Sequence, residues 1–253
     1  MLSDRIRAMG APHWLALFGL ILGAWVLLYL MAVPGDLRSA GAIYGTEFWV
    51  TFCTLTPDAA GFARIGAMWV LMSAAMMAPT VLPALATYED LSRTGTPTSM
   101  ARLLGGYLTI WLGFSALAAG AQMMLFRAGL LDPLGQSASG WLTVGLLVLA
   151  GLYQFSSTKD ACLSKCRQPL MFFMSHWDEG PWRNGLRLGL VCLGCCWALM
   201  TLAFVGGVMN LAFMGLATLV MVFEKLPEIG RYVTRPLGVV LLAFAGWNLA
   251  NLF

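Results

Sequence analysis

The feature that most constrains this chain is the stretch of residues 186–223, apolar almost throughout and far longer than one membrane crossing. A helix needs roughly 20 apolar residues to traverse the hydrocarbon of a bilayer, so this stretch must fold back on itself. Gly206 and Gly207 in its middle supply the break for a tight turn. A membrane β-barrel would show alternating segments of about ten residues instead. Composition points the same way: only 11% of residues are charged against 59% hydrophobic. Soluble domains carry roughly a quarter charged residues, and a chain with so few cannot cover a water-facing surface.

The expected fold is therefore all-α, a polytopic transmembrane bundle of about seven spans. They fall near residues 13–33, 66–88, 103–126, 141–158, 186–205, 208–225 and 236–253, with residues 1–253 forming one integral membrane domain. Positive side chains are enriched in cytoplasmic loops, and the seven spans sort the basic residues unevenly. One face receives twelve: Arg5, Arg7, Arg93, Arg102, Lys159, Lys165, Arg167, Arg183, Arg187, Lys225, Arg231 and Arg235. The other receives Arg38, Arg64 and Arg127. This places the N-terminus in the cytoplasm and the protein, multi-pass, in a bacterial inner membrane. Arg5 and Arg7 followed by the first apolar run read as a retained signal anchor, because the run is too long for a signal-peptide core. Tyr44, Phe48 and Phe52 recur at helical spacing beside Trp49, which suggests an interfacial helix in the outer loop. The net charge of +3 comes without any basic block, so nucleic acid is not an expected partner; the bilayer is.

Six cysteines carry the chemical signal, and only Cys53 falls on the outer side. Cys162 and Cys166 follow the fourth span and share a face if that helix continues so far. Cys192, Cys195 and Cys196 lie inside the fifth span, where spacings of three and four place all three thiols on one face. Soft thiolates select copper(I), zinc or iron–sulfur centres, and a reducing cytoplasmic side argues against structural disulfides. The two groups are expected to approach one another. Packing of free cysteines as small hydrophobes, with no metal, is the competing account.

In the second span Met68, Met72 and Met76 form a stripe, with Met77 beside it. Pro79 and Pro83 free the carbonyls of Ala75 and Pro79 one turn earlier. Such carbonyls must be shielded in lipid, so a kinked, thioether-bearing helix is expected. Glu224, at the end of the sixth span, is the carboxylate most expected to act as a proton or cation site. His176 is a possible nitrogen ligand for the cysteines. No phosphate loop, nucleophile elbow or zincin motif is present, which points away from an enzyme.

Taken together, Met76-Met77-Ala-Pro79, Tyr153-Gln154, Cys162-x3-Cys166-Arg167, Cys192-x2-Cys195-Cys196-Trp197, Gly207-Val-Met209-Asn210 and Glu224-Lys225 resemble a bacterial family of metal-binding integral membrane proteins, itself a domain of unknown function. The resemblance covers roughly residues 66 to 250 and implies metal binding. In that family a histidine often precedes the glycine ahead of the Cys-x2-Cys-Cys element; here the position is Leu188. The leading expectation is a membrane protein that binds a soft metal, copper(I) before zinc. Cys162, Cys166, Cys192, Cys195 and Cys196 would capture it, Met76 and Met77 would give a weaker transit site, and a membrane protein or metal chaperone would be the partner. A membrane thiol oxidoreductase, or an assembly subunit of a larger complex, are the alternatives.

Overall fold

The computed structural model describes residues 12–32, 58–94 and 99–252. Among them every regular element is a helix: α1 (Pro12–Ala32), α2 (Ala59–Thr94), α3 (Met100–Arg127), α4 (Gly140–Tyr153), α5 (Ser157–Arg167), α6 (Pro169–Met174), α7 (Pro181–Thr201), α8 (Ala203–Gly206), α9 (Leu211–Lys225) and α10 (Gly230–Ala250), with a short 3-10 turn at Trp177–Glu179. The expected outer interfacial helix and Cys53 lie outside the described residues.

Five stretches are long and apolar enough to cross a membrane: α1, α2, α3, α7 with α8, and α10; the bent pair α4–α5 makes a sixth. The sixth expected span, 208–225, becomes the 15-residue α9. At 1.5 Å per residue that is about 22 Å, short of a hydrocarbon core of roughly 30 Å. Its start is fixed late. Gly207 takes a left-handed φ of +91°, and the Asn210 side chain accepts a hydrogen bond from the Phe213 amide at 3.1 Å, so helix begins only at Leu211.

Helix α1 shows how one stripe is spent on packing. Trp14, Leu17, Ala24, Leu28 and Met31, spaced by threes, fours and sevens, are buried, and α2 is the helix α1 packs on most. The remaining faces keep Leu15, Leu22 and Tyr29 more than half exposed. In water a patch of that size would drive association; hydrocarbon accepts it. The start of α1 meets the end of α2, where Trp14 Nε1 donates to the Glu89 carboxylate and His13 Nε2 lies 3.5 Å from Glu89 Oε1.

Between α3 and α7 the backbones nearly touch. A Cβ on Gly185 would stand 2.1 Å from the Leu103 carbonyl oxygen, and one on Gly106 would stand 2.4 Å from that of Trp182. Small residues at helix contacts allow this approach where the solvent offers no hydrophobic drive. The contact fixes α7, and with it the cysteines, against Tyr107 of α3.

The fourth span ends short of its expected boundary of 158, and Cys162 and Cys166, which follow it, do not continue its helix. That helix stops at Tyr153, and α5 leaves at 60°. The cause is local: the Ser156 side chain accepts from the Lys159 amide at 3.1 Å and caps a new helix. The turn swings Cys162 and Cys166 across α7 instead of carrying them along the α4 axis.

Candidate metal centre

Cys192, Cys195 and Cys196 occupy one face of α7, all three buried, with their Sγ atoms within 4.8 Å of one another. The Cys195 and Cys196 sulfurs are 3.2 Å apart, and Cys195 donates to the Cys192 carbonyl oxygen at 3.1 Å. None of the described cysteines is in a disulfide. Thiolates on one metal at about 2.3 Å stand roughly 4.0 Å apart in a trigonal arrangement and 4.6 Å in a linear one. The cluster is within a small side-chain movement of either. Its donors are purely sulfur, which suits a soft ion such as copper(I).

The polar surroundings of Cys192 were not visible from the cysteine spacing. Lys225 Nζ donates to Cys192 Sγ at 2.9 Å and to Thr80 Oγ1 at 2.7 Å. Tyr107 Oη lies 3.2 Å from the same sulfur and donates to the Met77 carbonyl at 3.1 Å, while Thr80 Oγ1 donates to that carbonyl at 2.8 Å. Four helices, α2, α3, α7 and α9, thus converge on one sulfur. The Lys225 ammonium aimed at it favours negative charge there, the form in which sulfur ligates metal. The signal for Lys225 was its place beside Glu224. Lys225 was counted among the charges of the cytoplasmic face and Glu224 was expected as a proton or cation site; both are buried.

Cys162 and Cys166 flank this cluster. The Cys162 sulfur packs on Gly194, where a Cβ would stand 2.6 Å from it, and Cys166 faces Cys195 closely enough for their thiols to interact. Cys166 also shares with Cys192, Lys225 and Leu188 a cavity of about 20 Å³. The expected approach of the two cysteine groups is therefore present, with both α5 thiols only half-buried. His176 does not join them: its Nδ1 is 2.9 Å from the Phe172 carbonyl and 2.8 Å from Ser175 Oγ. Among the described residues the metal-capable group comprises the three α7 cysteines.

Met68, Met72, Met76 and Met77 are all buried. Continuing the stripe from Met76 by one turn gives Thr80, whose hydroxyl lies 3.9 Å from Cys192 Sγ. The thioether line thus leads towards the thiols. Of the carbonyls that the prolines release, that of Ala75 accepts from Trp25 Nε1 at 3.1 Å. Glu224 is held by Lys159, whose Nζ is 2.9 Å from both carboxylate oxygens and also donates to Gln154 Oε1. This ion pair is wholly buried, at 0% and 1% exposure. The cationic partner of Glu224 is a lysine that sequence counting had placed in a loop.

A family model described as PpoB2, copper chaperone, matches residues 66–248. The chain belongs to that family. The matched segment of this PpoB2-family chain contains the methionine stripe, all five described cysteines and Lys225. No curated protein and no solved structure matches the chain.

Leu188, one turn before Cys192, is buried and lines the small cavity. A Leu188→His variant of this PpoB2-family chain is expected to present an imidazole to the thiols and to tighten copper(I) binding about tenfold, ~1.4 kcal/mol. Competition against a copper(I) chelator under anaerobic conditions checks this; unchanged affinity would show that the position does not reach the bound ion.

Proposed function

We propose that this chain is a copper(I) chaperone embedded in the bacterial inner membrane, one that captures the ion on Cys192, Cys195 and Cys196 and passes it on. The observation that carries the reading is an all-sulfur cluster buried in an apolar helix with an ammonium on one of its sulfurs, in a chain of the copper chaperone family. Copper is the cargo. Cys166 and Cys162, less buried and on the side that the basic residues mark as cytoplasmic, act as the entry from that compartment. Met76 and Met77 act as the weaker onward site, since thioethers hold copper(I) less tightly than thiolates do. The short α9 is the sixth of seven crossings, its length made up by local thinning of the bilayer. Delivery then requires a protein acceptor or donor that can reach one of these stations.

Copper analysis of protein purified without oxygen tests the capture step. Bound copper in the parent and none in a Cys195→Ser variant is the expected result. Redox-dependent thiol modification in protein that never binds copper would support a thiol oxidoreductase in its place. For the onward step, Met76→Leu conserves volume and is expected to cost under about 1.5 kcal/mol. Copper capture should survive in that variant while copper tolerance of cells falls. Parent-like tolerance would remove the methionines from the route.

A further inference from the structure

A second polar site lies away from the cysteines, where α5 meets the start of α10. It is a cavity of about 430 Å³, within the range of small-ligand sites, and Arg167, Arg231 and Arg235 line it together with Ser164, Thr234 and a single carboxylate, Asp160. Arg167 is fixed in place: its Nε donates to the Glu224 carbonyl at 2.9 Å, and its Nη2 donates to Thr234 Oγ1 at 3.4 Å. Gly230 makes room for that arrangement, because a Cβ there would stand 2.7 Å from the guanidinium and 2.2 Å from the Glu224 oxygen. Arg231 and Arg235 differ. Neither has an ion pair or a hydrogen bond among the described residues, although Asp160 shares the cavity with them.

We infer that this cavity binds a phosphate group, and that the phosphate is the headgroup of an anionic phospholipid. Three guanidinium groups against one carboxylate leave net positive charge in the cavity, and guanidinium forks match phosphate oxygens in pairs. The volume exceeds what a bare phosphate fills, which leaves space for the substituent it carries. What favours lipid over a soluble phosphate is the next turn of α10. Arg231 and Arg235 stand one turn apart on the same face, and Val239 follows at the same spacing. Val239, Val240 and Phe244 are each at least half exposed, so an acyl chain leaving the headgroup would run along an apolar helix face. Basic pockets between membrane helices on the cytoplasmic side take anionic headgroups in this way. The lipid source rests on the membrane reading above; the phosphate chemistry does not.

The test uses the full chain in detergent, with phosphatidylglycerol, phosphatidylcholine of the same acyl composition, and inorganic phosphate as three separate probes. Phosphatidylglycerol is expected to raise the Tm of the parent more than phosphatidylcholine does. An Arg231→Gln/Arg235→Gln variant should lose that excess and bind phosphatidylglycerol about tenfold or more weakly. Both side chains are exposed, so the variant should fold, and an unchanged Tm without lipid confirms that it does. An equal phosphatidylglycerol excess in parent and variant overturns the site. Arginine-dependent stabilisation by inorganic phosphate alone keeps the phosphate site and overturns its assignment to lipid. Should the chain remain in aqueous solution without detergent, the membrane reading fails, while the inorganic phosphate arm still reports on the cavity.

Discussion

A Glu224→Ala variant is expected to lose about 3–5 kcal/mol of stability, because it leaves the Lys159 ammonium buried without its counter-charge. Lys159 is 0% exposed, its ammonium contacts both carboxylate oxygens at 2.9 Å, and Gln154 is its further partner. Removing the carboxylate strands a full charge in an apolar interior, where water cannot replace it. Thermal unfolding in detergent should show a clear loss. A control separates the charge from the packing: Lys159→Met with Glu224→Leu removes both charges at similar volume and should lie much nearer the parent. If the single and double variants are equally destabilised, the pair contributes packing and not charge balance. Near-parent stability of Glu224→Ala would mean that Lys159 reaches water after all.

The second large effect belongs to the sulfur at the centre of the polar cluster. Cys192→Ser keeps the side-chain volume nearly constant and exchanges a soft ligand for a hard one, which copper(I) disfavours. Copper(I) affinity is expected to fall about a hundredfold, ~2.7 kcal/mol, as measured by anaerobic competition with a chelator. Cys162→Ser, made in the thiol that packs on Gly194 and lies outside the α7 group, should change affinity far less. The contrast carries the test. Equal losses would mean that all five thiols bind as one set, and equal retention would move the copper seat elsewhere. The serine hydroxyl can still accept from Lys225, so the hydrogen bonds around the site are kept and the loss reports ligation.

The parts of this architecture that depend on nearby residues were legible in the sequence. Apolar length placed the long helices, and spacings of three and four put Cys192, Cys195 and Cys196 on one face. Gly207 marked the turn ahead of α9. What stayed hidden depends on distance along the chain or on a local cap inside an apolar context. Ser156 breaks the fourth span by one side-chain hydrogen bond, too small a signal against the hydrophobic run before it. Lys159 and Lys225 look like loop charges until Glu224 and Cys192, brought from other helices, are seen to hold them. Thr80 and Tyr107 carry no motif by themselves; they matter because α2 and α3 turn their hydroxyls to a sulfur on α7. The same long-range pairing explains why Glu224 was expected as a cation site and is instead met by a cation of the chain's own.

The hydrogen bond from Lys225 to Thr80 joins residues 145 positions apart. A chain emerging from the ribosome presents α2 long before α9 exists, and domains tend to form in the order of synthesis. Until the ninth helix is made, Cys192 has no ammonium beside it, although the three thiols are already in the chain. On the copper reading proposed above, capture of native strength is thereby postponed to a late stage of biogenesis. On that reading, a nascent or prematurely terminated product would be a poor sink for the ion.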